Sequence, residues 1–164
     1  MSVSTKPPPS TEVIFFDWSN LTESRFHSSV PFQIVVNVTV RQILRTIVDE
    51  GDSVSILSSS AWKYLGSPQL DMPPTDQILD FNRRPTTPLG ILPQLSITLE
   101  GKTVCIDVMV VQGALDFNLL LGHDYVHDMK AVVSTLFRVM YFPHHGNIVT
   151  LIKFPLLTRS SYDS

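Results

Sequence analysis

Residues 47–57, IVDEGDSVSIL, place an acidic turn between two short apolar runs. Asp49 directly follows the apolar pair Ile47 and Val48, and Gly51 supplies the backbone freedom that a tight turn needs. A carboxylate at the end of a buried strand is expected to be partly buried beside a cleft, which perturbs its pKa and makes it a candidate functional group. The alternative is an ordinary surface turn, in which Asp and Gly are common.

A second apolar run ends in glycine farther along the chain. It consists of Leu119, Leu120, Leu121 and Gly122. It follows Gly51 by roughly 70 residues, and repetition at such a spacing predicts two related half-lobes.

Short runs of alternating apolar residues dominate the rest of the chain. Leu95, Ile97 and Leu99 alternate with other residues, and a Glu-Gly-Lys turn separates them from a second alternating run, which predicts a hairpin. The sequence therefore predicts an all-β closed sheet with one or two short helices. Strands are expected at residues 32–40, 43–48, 54–57, 95–99, 104–110, 118–121, 131–134, 137–142 and 147–152, and helices at 58–65 and 123–129.

Proline is concentrated between the two glycine-ended runs. Pro73, Pro74, Pro85 and Pro88 lie in this region, and Pro93 follows soon after. Because proline cannot donate a backbone hydrogen bond, no long regular element is expected between residues 69 and 88. The sequence predicts a mobile excursion there.

The composition fits one soluble globular domain. The chain has 164 residues, of which 43% are hydrophobic, and a net charge of −3. Charged residues make up 16% of the chain and form no basic stripe, so no nucleic-acid partner is predicted. No apolar run approaches the roughly 18 residues of a membrane span, so no membrane association is predicted.

The two ends of the chain differ in amino-acid composition from the middle. Residues 1–30 are rich in Ser, Thr and Pro and are predicted to be an arm or linker, residues 31–152 the folded domain, and residues 153–164 a C-terminal tail. The polar opening lacks a secretory signal and the single Cys105 cannot form an intrachain disulfide, so an intracellular, cytoplasmic location is expected. Cys105 is predicted to be a small core residue.

Two histidines define an alternative metal site. His123 and His127 are four residues apart, so they share one face of the predicted second helix, and Asp124 adjoins the first of them. A zinc hydrolase is therefore one hypothesis, although the spacing places no third ligand. Solvent-exposed histidines are the simpler interpretation.

Several stretches resemble the retropepsin-like aspartic proteases, most closely those in the polyproteins of plant gypsy-like LTR retrotransposons. The resemblance covers about residues 31–151. Its motifs are residues 48–57 with Ala61 and Trp62, then residues 88–93 and 116–125, and finally residues 142–144 and 148–150. It implies a retropepsin-like closed β-barrel and a hydrolase of the aspartic endopeptidase class.

The resemblance also implies roles for individual residues, without any metal or organic cofactor. Asp49 would be the catalytic acid, and the apolar pair with its glycine would form a supporting loop beneath it. A hairpin at roughly residues 77–92, with its tip near residues 82–87, would be a flap over the substrate. The implied sets are Glu50, Gly51, Asp52 and Ser53 in the active-site loop, Leu120, Leu121 and Gly122 in the supporting loop, and Phe81, Asn82, Arg83, Leu89 and Gly90 in the flap and substrate groove.

An aspartic protease needs two facing carboxyl groups, and the sequence contains one Asp-x-Gly. The chain is therefore expected to supply half an active site and to act as a homodimer on a polyprotein peptide with apolar side chains beside the cleaved bond. Glu50 stands where the family has Thr or Ser, and Asp52 where Ala or Ser is usual. These two departures support the rival hypothesis of a catalytically silent dimerisation or peptide-binding module.

Overall fold

The computed structural model describes residues 32–71, 80–81 and 84–152, which fall into two compact units. The larger unit is Gln33–Asp128, and the described part of the smaller one is Phe32 with residues 129–152. The predicted arm at residues 1–30 and the tail at residues 153–164 lie outside the described residues. The proposed domain boundaries therefore stay predictions.

Strands and two short helices are the regular elements of the described residues, as the sequence predicts. The helices are only six and seven residues long. Neither has the length and apolar character that crossing a membrane would require. In chain order the elements are β1 Gln33–Val38, β2 Arg41–Val48, β3 Ile56–Ser58, α1 Ser59–Tyr64, β4 Asp80–Phe81, β5 Arg84–Leu99, β6 Lys102–Gly113, β7 Leu119–Leu121, α2 His123–Met129, β8 Val132–Ser134, β9 Val139–His144 and β10 Asn147–Ile152.

Six strands of the larger unit form a closed barrel. They follow one another in the order β1, β2, β7, β3, β6, β5, and β1 pairs with β5 through Asn37 with Thr98 and Val38 with Ile97. The prediction of a closed, retropepsin-like β-barrel is therefore confirmed. In the smaller unit, β8, β9 and β10 form an antiparallel sheet of their own.

The strand pairing of the barrel has an internal two-fold pattern. Strand β2 runs parallel to β7 and β3 runs parallel to β6, while β3 and β7 pair antiparallel to each other. Each of the two short central strands leads almost at once into a helix, β3 into α1 and β7 into α2. This arrangement agrees with the two half-lobes that the repeated glycine-ended runs predict.

A bulge in β2 keeps the apolar side chains of the first hairpin inside the barrel. Ile43 pairs with Val36 and Thr46 with Ile34, so the two residues between them on β2 oppose a single residue of β1. Arg45, inside the bulge, takes a left-handed φ of 55°. The extra residue leaves Leu44 and Arg45 exposed and returns Thr46 to the interior, where its hydroxyl donates to the Ile43 carbonyl at 3.2 Å.

The proline-rich region 69–88 is only partly described, since residues 72–79 and 82–83 lie outside the described residues. At its end the expectation of an irregular, mobile excursion is wrong, because residues 84–88 belong to a long strand. Strand β5 begins at Arg84 and continues for 16 residues. Its pairing with β6 shifts register between Pro88 and Gly90 and again between Leu92 and Leu95, the interval that contains Pro93. Because the N–H groups that Pro88 and Pro93 lack fall at these two bulges, the strand tolerates both prolines.

The prediction that Cys105 is a core residue is also wrong. Strand β6 alternates at this end, with Ile106 buried and Cys105 exposed on the opposite face. The Cys105 sulfur lies 3.3 Å from the Ser96 hydroxyl on the neighbouring strand. The β6 strand becomes buried on both faces only from Val108 to Val111, where β3 flanks it on its other edge.

Tyr125 provides a test of how the fold tolerates a buried polar atom. Its side chain is 0% exposed, and its hydroxyl has no hydrogen-bond partner among the described residues. Burial also raises the pKa of Tyr125. We expect Tyr125→Phe to raise the free energy of unfolding by about 1 kcal/mol, because the variant no longer buries an unpaired hydroxyl. Thermal unfolding measures the change.

Tyr64→Phe is the matched control for this substitution, because Tyr64 is 51% exposed and its hydroxyl is not held in an apolar interior. Its unfolding temperature should stay at the wild-type value. A loss of stability in Tyr125→Phe would show that the buried hydroxyl has a hydrogen-bond partner and would contradict the interpretation.

Candidate active site

The acidic loop at residues 49–55 crosses the end of a buried strand. Strand β7 lies between β2 and β3, with Leu121 paired parallel to Val48 and Leu120 paired antiparallel to Ile56. The loop connects β2 with β3, so it must pass over the carboxyl end of β7. This strand pairing brings the predicted active-site loop and the predicted supporting loop together.

Two backbone hydrogen bonds fasten the loops to each other. The Asp49 N–H donates to the Leu121 carbonyl at 2.9 Å, and the His123 N–H donates to the Asp52 carbonyl at 2.7 Å. The two bonds lie on either side of Gly122. They hold the acidic loop at both ends of the segment that contains Glu50 and Gly51.

Gly122 is required by close packing of backbone. A Cβ atom at this position would lie 2.5 Å from the Asp52 carbonyl oxygen and 2.9 Å from that of Val54. Leu120 and Leu121, which precede it, are 5% and 0% exposed. The residues that the resemblance implies for the supporting loop therefore pack directly under the acidic loop.

Asp49 presents its carboxylate at the surface of the single chain. The sequence predicted a partly buried acid, but Asp49 is exposed. Its Oδ1 accepts a hydrogen bond from the Gly51 N–H at 3.0 Å, which orients the carboxylate along the loop. A Cβ on Gly51 would lie 3.2 Å from this same oxygen, and Gly51 does not have a left-handed φ. Glycine is favoured here by close approach to the acid, not by the turn conformation that the sequence suggested.

Burial and negative charge raise the pKa values of the carboxyl groups beside Asp49. The pKa of Asp52 is raised from 3.8 to about 6, first by burial, then by the charge of Asp49 and by a hydrogen bond to that side chain. Partial burial and the charge of Asp49 also raise the pKa of Glu50, while His123 opposes the change. Asp52 can therefore hold a proton at mildly acidic pH, where an aspartate with the ordinary pKa of 3.8 is ionised.

A pair of polar residues beneath the acidic loop, Ser55 and Asp124, was not predicted from the sequence. Ser55 is 0% exposed, and its hydroxyl donates to Asp124 Oδ1 at 2.6 Å and accepts from the Gly122 N–H at 2.9 Å. The available signal was a serine between Val54 and Ile56 in an otherwise apolar run, because a buried hydroxyl requires partners. Ser53, the remaining member of the predicted active-site loop, is exposed.

The predicted flap is only partly described. Strands β4 and β5 pair antiparallel, with Phe81 opposite Arg84, so residues 84–87 of the predicted tip belong to strand β5. Asn82 and Arg83 lie outside the described residues. The flap role of this hairpin stays a prediction.

The two predicted groove residues on β5 lie at a bulge. Leu89 is half-buried, and Gly90 is buried where a Cβ would come within 2.6 Å of the Asp71 carbonyl oxygen. Asp71 and Ile91 exchange backbone hydrogen bonds of 2.7 and 3.2 Å beside it. Gly90 therefore serves this close backbone contact, and its role in a substrate groove stays a prediction.

The histidines of the zinc hypothesis lie on α2. His123 and His127 are both exposed, with ring centroids 6.0 Å apart. No group of three or more His, Cys, Asp or Glu side chains is placed to hold a metal ion within the described ranges 32–71, 80–81 and 84–152.

Several solved structures are similar to this chain. The retroviral protease-like domain of Ddi1 from Leishmania major matches with a TM-score of 0.56 at 14% identity, over 74% of this chain and 94% of that domain. A retropepsin-like aspartic protease from Rickettsia conorii matches with a TM-score of 0.46 at 23% identity, over 65% of this chain and 77% of that one. The EIAV protease in complex with the inhibitor HBY-793 matches with a TM-score of 0.43 at 15% identity, over 62% and 90%.

The Ddi1 domain establishes that the fold is that of the retroviral proteases. Sequence comparisons add nothing to this conclusion, since no family model and no curated protein matches the chain.

The two loop glycines should respond differently to alanine. We expect Gly122→Ala to lower the free energy of unfolding by about 1–3 kcal/mol, because its Cβ would overlap two backbone carbonyl oxygens that cannot rotate away. Gly51→Ala should be much milder, because its Cβ meets only the end of the Asp49 side chain. Urea unfolding of both variants tests this, and equal destabilisation would contradict it.

Asp52 should make stability depend on pH. Because its pKa is about 6 in the folded chain and 3.8 is the ordinary value, the folded state binds more protons between these values, and the free energy of unfolding should fall as pH rises through the window. Asp52→Asn removes this contribution and should flatten the profile measured by urea unfolding from about pH 4 to about pH 7. Asp107→Asn, on exposed β6 surface, is the control. Parallel profiles for wild type and Asp52→Asn would refute the assignment.

Proposed function

We propose that the chain is an aspartic endopeptidase whose active site forms from the Asp49 carboxyl groups of two identical copies. The observation that carries this proposal is the placement of Asp49. Its carboxylate is exposed, oriented by the Gly51 N–H, and fixed through its own backbone to the end of β7 in a barrel of the retroviral protease fold.

The proposal of a homodimer rests on the number of Asp-x-Gly aspartates that one barrel supplies. At the end of β2 the chain carries Asp49, whereas at the related end of β6 and β7 it carries no second Asp-x-Gly sequence. General acid and base catalysis on a peptide bond needs one ionised and one protonated carboxyl group. Two copies related by a two-fold axis would supply one Asp49 each.

The proposed chemistry balances across the two acids. The ionised Asp49 takes a proton from water as the water oxygen bonds to the peptide carbonyl carbon, and the protonated Asp49 of the other copy donates to the carbonyl oxygen. When the tetrahedral intermediate collapses, the C–N bond breaks and the Asp49 that took the proton from water gives it to the departing nitrogen. The other Asp49 recovers a proton from a hydroxyl of the intermediate as the carbonyl re-forms. Two carboxyl groups at close range are not readily ionised together, because their negative charges repel. One of the pair therefore stays protonated while the other is ionised, as the reaction requires.

The substrate would be an extended polypeptide. The β4–β5 hairpin is proposed as the flap that adds backbone hydrogen bonds to one side of it, in the manner of strand addition. Apolar side chains beside the cleaved bond are expected from the family resemblance. The polyprotein of a plant gypsy-like LTR retrotransposon is the proposed source of the domain, and the sequence motifs at residues 48–57 and 116–125 support this source.

A silent peptide-binding or dimerisation module is the second candidate. The observation that favours it is the crowding of Glu50 and Asp52 around Asp49, because these further acidic groups would repel the ionised carboxylate that an active Asp49 pair needs, at an electrostatic cost to catalysis. The raised pKa values of Glu50 and Asp52 show that this cost exists in a single chain.

Replacing the proposed catalytic acid separates the two candidates. We expect Asp49→Asn to abolish cleavage of a peptide library while leaving the chain folded, because the amide has the same shape and cannot exchange a proton with water. Asp107→Asn is the control, since its Oδ1 accepts from the Gln94 N–H and asparagine can keep that contact. Specific activity should also rise with protein concentration. Activity in Asp49→Asn equal to wild type would eliminate the protease proposal.

Glu50 should govern the pH dependence of dimerisation. If its pKa rises further in the dimer, the dimer binds extra protons, so association strengthens at acidic pH and weakens as pH rises through the raised pKa. Glu50→Gln should reduce this dependence, and Glu50→Thr should tighten the dimer further at about pH 7.5 by adding a neutral hydroxyl between the loops. Sedimentation measures the dissociation constants. Unchanged constants for both variants between about pH 5 and about pH 7.5 would reject this role for Glu50.

A further inference from the structure

A buried polar pair joins three segments of the larger unit beneath the acidic loop. Ser55 ends the loop, Gly122 ends β7, and Asp124 lies in the first turn of α2. The Ser55 hydroxyl donates to Asp124 Oδ1 at 2.6 Å and accepts from the Gly122 N–H at 2.9 Å. The same Asp124 oxygen accepts from the Tyr125 N–H at 2.8 Å. One hydroxyl therefore uses both its donor and an acceptor site across elements that are far apart in sequence.

We propose that Ser55 and Asp124 are a positioning pair, which fixes the acidic loop against the end of β7 and thereby sets the position of the Asp49 carboxylate. The inference rests on the proposed function of Asp49. It assigns roles to two residues that do not touch the substrate and that carry no part of the proposed acid–base chemistry.

The connection to Asp49 runs through the peptide groups on either side of Gly122. Ser55 holds the Gly122 N–H, the preceding Leu121 carbonyl accepts from the Asp49 N–H at 2.9 Å, and the following His123 N–H donates to the Asp52 carbonyl at 2.7 Å. Rotation of the Gly122 backbone would alter both of these loop bonds together. The hydroxyl that fixes this backbone therefore fixes the loop.

The site leaves little room for an alternative arrangement. Ser55 is 0% exposed and Gly122 is buried, so water cannot easily replace a lost hydroxyl. Because Gly122 has no Cβ, the carbonyl oxygens of Asp52 and Val54 can pack closely against its backbone. The Ser55 hydrogen bonds and the close packing at Gly122 together define a single position of the loop.

Asp124 acts in this arrangement as an acceptor. Its Oδ1 receives two hydrogen bonds, one from the Ser55 hydroxyl and one from the Tyr125 N–H. An asparagine side chain offers the same oxygen without the charge. Asp124→Asn should therefore preserve the loop, whereas Asp124→Ala should release it.

The test combines amide hydrogen exchange with steady-state kinetics on Ser55→Ala, Asp124→Ala, Asp124→Asn and the exposed control Ser60→Ala. We expect Ser55→Ala to speed exchange at Gly122 by about tenfold and to speed exchange at Asp49, whose own hydrogen bond it does not remove. Asp124→Ala should speed exchange at Asp49 to a lesser extent. In both variants kcat should fall by about tenfold with KM nearly unchanged, while Asp124→Asn and Ser60→Ala match wild type.

The outcomes distinguish a positioning role from a merely structural one. Faster exchange at Gly122 with unchanged exchange at Asp49 would overturn the proposal, as would equal losses in Asp124→Asn and Asp124→Ala. If Ser55→Ala does not fold, the comparison of the two Asp124 variants decides alone. A wild-type chain without peptidase activity would refute the proposed function, and the exchange arm would still decide whether the pair positions Asp49.

Discussion

The pairing of β7 along both of its edges is the constraint on which the larger unit depends. Strand β7 has three residues, all buried, and bonds in parallel to β2 and antiparallel to β3. These bonds link the two related halves of the barrel, force the acidic loop over the strand end, and set where α2 begins. A three-residue strand can do this because burial on both faces makes every unpaired backbone group costly.

The acidic loop combines rigid support with unfavourable electrostatics. Backbone bonds from Asp49 and to Asp52 hold it from below, while its carboxyl groups crowd the exposed side. Burial of Asp52 and the neighbouring charge of Asp49 raise the Asp52 pKa to about 6. Such a concentration of perturbed groups is typical of a functional site, where local stability is given up for chemistry.

Local patterns predicted the elements well and their long-range details poorly. Alternation located the β5–β6 hairpin, and the helix predicted at residues 58–65 is present as α1. In the structure Ser58 is its N-cap, and the Ser58 hydroxyl accepts from the Ala61 N–H at 3.1 Å. Proline counting failed for β5, because the composition does not show that bulges place Pro88 and Pro93 where no ladder donor is required. The prediction that Cys105 is buried failed for a related reason. The alternation of its strand does not show which of the two faces the rest of the fold covers.

The sequence by itself determined that the chain is an all-β protein with one Asp-x-Gly turn and a distant glycine-ended apolar run, because periodicity and turn chemistry depend on near neighbours. Only the tertiary structure decided why Gly51 and Gly122 are glycines, namely close approach to an Asp49 oxygen and to the Asp52 and Val54 carbonyls. It alone also paired Ser55 with Asp124, 69 residues away. Such contacts depend on strand register and on the path of the loop over β7, which no local pattern encodes.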